Sequence, residues 1–118
     1  MQEKHKFLWK AYHEGIIDRE LTEEEKKEIR ACDFAMHLLI DTIALYSEIR
    51  LLGLENMTKL YNLKKTAPFL YYDFILGLAQ RFCIEVDVME IKIQYLATKE
   101  QKKEEEKNRL LKLQKTMH

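Results

Sequence analysis

Three glycines and one proline in 118 residues constrain this chain more than anything else in it. Each hairpin normally needs a turn residue, so a strand-and-turn fold would run short of them. Long helices joined by few connections suit such a sequence. The chain length fits one domain that can bury a core without disulfides or metals. The expected fold is therefore all-α: a three- or four-helix bundle with a long C-terminal helix.

The periodicity supplies the elements. Residues 3–15 form a short amphipathic helix carrying Phe7, Leu8, Trp9 and Tyr12, with Gly15 as its stop. Thr22 and Glu25 have the spacing of a capping box, and Glu23, Glu24 and Glu25 suit the positive end of a helix dipole. The second helix is expected over 22–52, because Ile29, Cys32, Met36, Leu39, Ile43 and Tyr46 recur in steps of three and four. Gly53 ends it. A shorter helix carries Leu54, Met57, Leu60, Tyr61 and Leu63, and Thr66 is placed to cap the next, with Pro68 in its first turn.

The last helix is expected over 67–114, its seam running through Ile75, Ala79, Phe82, Val86, Met89, Ile93 and Leu96. At about 45 residues it would span nearly 70 Å, longer than a body of this size. Residues 84–95 also alternate apolar and polar with many β-branched side chains, a strand signal. Helix is favoured, since no other strand is available to pair with. A strand here would pair with its own copy. No apolar residue occurs from Lys99 to Arg109. The chain therefore divides into a helical bundle, 1–98, and a charged helical extension, 99–118.

Charge limits the function classes. Twenty basic residues balance twenty acidic ones, whereas a chain built to wrap nucleic acid is usually basic. Local surpluses exist: residues 51–72 hold three basic and one acidic residue, and residues 99–118 hold seven and four. Cys32 and Cys83 sit in apolar periodic stretches and read as buried free thiols. No apolar run reaches the roughly 20 residues of a membrane helix. The expected compartment is the cytoplasm, with no membrane partner and no cofactor.

One polar stripe interrupts the second helix. At about 100° per residue, Arg30, Asp33, His37, Asp41 and Glu48 share an arc of about 80°. Its plainest reading is the solvated side of a core helix. Asp33, His37 and Asp41 at i, i+4 and i+8 could also begin a metal site if another helix added Asp73, Glu85 or Glu90. No Glu-x-x-His pair is present, and no metal is expected. The stretch Arg30-Ala31-Cys32-Asp33-Phe34-Ala35-Met36-His37 resembles the loose Arg-x6-His motif of the HEPN ribonucleases, an all-α and usually dimeric family. That resemblance implies that His37 handles a proton while Arg30 holds the phosphate. Arg30, His37, Asp33 and Asp41 are the stripe's catalytic candidates. His5, His13 and His118 read as surface residues.

The principal functional expectation lies elsewhere. The last helix carries a second apolar row, Ile84, Val88, Ile91 and Tyr95, and the tail adds Leu110, Leu113 and Met117. A helix apolar on two sides is central in its bundle or shared with another chain. A non-enzymatic interaction protein is expected, a homodimer or a small subunit of a larger assembly, with Ile84, Val88, Ile91, Tyr95, Leu110 and Leu113 as its partner face. The rivals are a HEPN-like ribonuclease using Arg30 and His37, and a nucleic-acid-associated subunit.

Overall fold

The computed structural model describes residues 3–116, with side chains from Lys6 onward. His5 (its side chain), Met117 and His118 lie outside this set. The described residues form six helices: α1 (Glu3–His13), α2 (Glu23–Leu39), α3 (Thr42–Leu51), α4 (Met57–Thr66), α5 (Pro68–Arg81) and α6 (Val86–Thr116). The fold is all-α with a long last helix, as expected. The helix count is higher because both long helices break once.

The first break is at Ile40. Its backbone is extended, at φ −120° and ψ 103°, and Asp41 starts α3 by accepting the Ala44 N–H at 2.9 Å. The sequence periodicity ran smoothly through this point, and that misled it. The buried row is Ile29, Cys32, Met36, Ile40, Leu45 and Ile49, with a five-residue step at the break. Leu39 and Ile43, placed in the core by sequence, are 59% and 80% exposed.

The second break separates α5 from α6. Phe82 caps α5 and Cys83 adopts φ 56°. The Cys83 N–H then reaches the Gln80 carbonyl, and the Ile84 N–H reaches Ala79. This is the Schellman closure of a helix end. Gly15 and Gly53 close α1 and α3 with the same two bonds. At those positions glycine signalled the stop. At Cys83 an ordinary side chain occupies the left-handed position, so nothing in the sequence marked it. Cys83 is consequently exposed rather than buried, while Cys32 is buried, and no disulfide joins the two.

The other helix starts follow familiar rules. Thr22 and Glu25 form the reciprocal capping box, and Arg19 grips the Glu25 carboxylate through both of its oxygens. Asn56 caps α4 by accepting from Lys59 N–H. Thr66 ends α4 instead of capping α5, where Ala67 holds the cap position ahead of Pro68 and no side chain bonds the cap.

Helix α4 packs on α5 and α6, α5 lies along α6, and α1 docks on α2. Trp9, Met36, Ile40, Leu45, Ile49, Met57, Leu60, Tyr71, Ile75, Met89 and Ile93 fill the centre with no exposed surface. Residues 86–97 are helical, which resolves the strand-like alternation of 84–95: Val88, Met89, Ile91, Ile93 and Leu96 are buried on a helix wrapped from several sides. Burial then stops. Every residue from Gln101 to Thr116 is exposed while α6 continues. The molecule measures 55 × 37 × 26 Å as a result.

Candidate functional site

Asp33 gathers the first part of the site. Its carboxylate accepts the Trp9 indole N–H at 2.7 Å and the His13 Nε2 at 2.9 Å, docking α1 onto α2. Burial works against the charge on Asp33, but the bonds from His13 and Trp9 outweigh it and hold its carboxyl below the usual range. His13, read from sequence as a surface residue, is half-buried in this pair.

One turn further along α2, His37 meets the one buried charged residue found among the described residues. Lys92 of α6 is 1% exposed. Its ammonium donates to His37 Nδ1 at 2.8 Å and to Thr42 Oγ1 at 2.9 Å. An isolated buried ammonium would be very costly, and these two acceptors make it tolerable. Burial pulls Lys92 below its ordinary pKa; Asp41 opposes the shift and Lys99 adds to it. Burial and the Lys92 charge likewise hold His37 below the ordinary imidazole value, against the opposing pull of Asp33.

A histidine harder to protonate when folded takes its proton first in the unfolded chain. Its contribution is intact above about pH 6.5 and is lost as the pH falls below that. Urea unfolding at a series of pH values should show stability declining from about pH 7 to 5. His37→Gln, which keeps an acceptor for Lys92, should flatten that decline. An unchanged slope in the variant would show that His37 is not its source.

The polar stripe read on α2 therefore splits up. Asp33 holds α1, His37 receives Lys92, and Asp41 caps α3. Glu48 pairs with Arg81 of α5 at 2.9 Å, and Arg30 stands exposed. His37 and Arg30 share no partner, and the His37 ring packs at 4.6 Å against Tyr95. Among the described residues no group of three metal-ligating side chains converges.

Beside this cluster, α1 and α6 bound an open groove of about 540 Å³, with Tyr12 and His13 on one wall and Tyr95, Thr98, Lys99 and Lys102 on the other. The Lys99 ammonium lies 5.8 Å from the centre of the Tyr95 ring. The groove opens where α6 leaves the body, so its floor continues into the exposed extension.

No family model, curated protein or solved structure matches the chain.

The sequence-derived partner face is corrected by burial. Val88 and Ile91 are 6% and 7% exposed, and both belong to the chain's own core; Ile84 is half-buried against it. The bundle has more helices than expected, and α6 takes the central position that a smaller bundle could not offer. Tyr95, Leu110 and Leu113 do reach the surface, at 39%, 52% and 53% exposed. The rotation per residue also groups them with charged side chains. At about 100° per step, Tyr95, Lys99, Lys102, Glu106, Leu110 and Leu113 share an arc of about 80° along α6.

Proposed function

We propose that this chain is a non-enzymatic helical interaction protein that docks a helical partner along the exposed face of α6. The supporting observation is the extension itself. Residues 101–116 continue α6 fully exposed, so among the described residues nothing packs on a stretch of helix whose stability would ordinarily come from packing. Its leucines Leu110, Leu111 and Leu113 stand out of an otherwise charged sequence. A face that begins in a groove and continues along a projecting helix suits a long, narrow partner such as a second helix. Two cysteines not joined in a disulfide suit a reducing compartment such as the cytoplasm.

Leu110→Glu combined with Leu113→Glu tests this. The body should keep its melting temperature, because neither side chain touches the core. Association should be lost, read as solution mass by light scattering and as complex formation in native extract. Association that survives both charges in a folded protein would overturn the proposal.

A second reading draws on Lys99, Lys102 and the aromatic walls of the groove. It is a nucleic-acid-associated subunit, in which a base stacks on Tyr95 or Tyr12 while the lysines meet phosphate. Retention of RNA or single-stranded DNA that falls steeply with salt, and is lost in Lys99→Ala with Lys102→Ala, would mark it.

A further inference from the structure

We infer that the partner of the α6 face is a second copy of this chain, whose own extension lies antiparallel on Tyr95, Lys102, Glu106 and Leu113. This rests on the proposed docking role and names its occupant.

The sequence of the extension is complementary to itself in one orientation only. Set Tyr95 against Leu113 of a second copy running the other way. Lys102 then falls opposite Glu106, whereas Lys103 is level with Glu105 but points to the opposite flank of the seam, about 160° away. One two-fold axis, at the level of Glu104, satisfies both the Tyr95–Leu113 and the Lys102–Glu106 pairs at once. An isologous contact of this kind makes every pair twice. Lys99 and Arg109 also come level in this register, but they point to opposite flanks of the seam, roughly 80° apart. Lys99 instead flanks Leu110 of the second copy. A parallel arrangement would put Lys102 on Lys102 and Glu106 on Glu106. Like charges so placed are unfavourable.

The groove accounts for the ends of the seam. Leu113 of the second copy enters beside Tyr95, between the α1 wall of Tyr12 and His13 and the α6 wall. In return, Leu113 of the first copy enters the other groove. The charge balance of the chain fits the same arrangement. Residues 101–118 hold six basic and three acidic side chains, and residues 1–100 hold fourteen and seventeen. The antiparallel register carries each basic extension to the end of the other body. There the α1–α2 connection exposes Glu14, Asp18 and Glu20.

Two measurements test the register. Lys102→Glu and Glu106→Lys should each weaken the dimer about tenfold or more, because each sets like charges opposite one another twice. Together they should restore most of the affinity, since the swapped pair attracts again. A covalent trap makes the test independent of helix stability. In a Cys83→Ser background, which removes the exposed native thiol, the double variant Tyr95→Cys with Leu113→Cys should form a disulfide-linked dimer under mild oxidation. Neither single variant should do so, because residues 95 and 113 lie about 27 Å apart along a helix. That spacing separates each from its own copy across the two-fold axis, and it also prevents a link within one chain.

Cross-linking by either single variant would show a parallel pair and overturn the inference. A dimeric parent whose double-cysteine variant fails to cross-link, and whose charge swap is not rescued, would overturn the register. A parent that is monomeric at every concentration, yet loses a different partner in Leu110→Glu with Leu113→Glu, would overturn self-pairing while leaving the docking face in place.

Discussion

Replacing Trp9 with Ala is expected to cost about 4 kcal/mol of folding stability, in the middle of the range for removing a large buried aromatic side chain. Trp9 is fully buried, and it is the only tryptophan of the chain. Its ring fills the seam where α1 meets α2, and its indole N–H is one of the bonds that hold the Asp33 carboxylate. Truncation to Ala leaves a cavity with helices on more than one side. It also leaves a part-buried charge with His13 alone to satisfy it. Trp9→Phe separates the two effects. It keeps most of the apolar volume and loses the N–H, so a cost of about 1–2 kcal/mol is expected. Urea unfolding followed by far-ultraviolet circular dichroism reads both, because the tryptophan signal itself is gone in the variants. A cost below about 1 kcal/mol for the Ala variant would mean that α1 is not integral to the fold. The groove wall made by Tyr12 and His13 would then have no rigid support.

Those residues show where sequence reasoning reached and where it stopped. Helix starts marked by local chemistry were legible: the Thr22–Glu25 box is present with both of its bonds. Helix ends at Gly15 and Gly53 were legible for the same reason, since glycine adopts the left-handed closing position without strain. The breaks at Ile40 and Cys83 were not. At Cys83 no glycine marked the turn. At Ile40 the signal was present but ambiguous: Asp41 before Thr42 and Ile43 is a good N-cap, yet the same aspartate fell on a polar stripe that made sense as one helix face. Taking the stripe as continuous joined Arg30, Asp33, His37 and Asp41 into one candidate site. The bend at Ile40 and the docking of α1 separate them into different tasks.

The partners that matter most were out of reach for another reason. Lys92 with His37 and Asp33 with Trp9 and His13 are contacts between helices far apart in sequence, with no spacing rule to reveal them. Lys92 did carry a weak signal. It sits between Ile91 and Ile93 in a stretch that is otherwise apolar on two sides, and a lysine there must find internal acceptors or leave the core. The exposed face of α6 was legible because a helix projecting beyond the body obeys only its own periodicity. Tyr95, Leu110 and Leu113 are exposed where their pattern indicated. Val88 and Ile91 follow the same pattern inside the body, where the neighbouring helices cover them.

Glu100→Ala should be the second most damaging substitution to test, with an expected loss of about 3 kcal/mol, because several charge-assisted hydrogen bonds are removed at once. The Glu100 carboxylate accepts the Tyr46 hydroxyl at 2.5 Å, the backbone N–H groups of Met57 and Thr58 at 2.9 Å each, and the Thr58 hydroxyl at 2.7 Å. It thus closes the start of α4 from another helix and ties in α3 through Tyr46. A negative charge at that position also meets the positive end of the α4 dipole. Burial opposes its ionisation, but these donors prevail and hold the carboxyl below its ordinary range; burial and the nearby carboxylate push the Tyr46 hydroxyl upward. The contribution of Glu100 is therefore full above about pH 4.5 and is lost as the pH falls through its lower folded value. Glu100→Gln keeps the shape and one acceptor oxygen but no charge. It should cost about 1–2 kcal/mol at neutral pH and unfold with a shallower acid transition than the parent. If both variants match the parent in urea and in acid, the carboxylate is not anchoring α4. Position 100 also marks the root of the extension, the last point at which α6 is tied to the body before Gln101. Loosening it should let α6 fray back toward Tyr95 and so weaken association along the exposed face, even though Glu100 itself is not placed in that seam. A Glu100→Ala variant that keeps full association would show that the docking face holds its shape without this anchor.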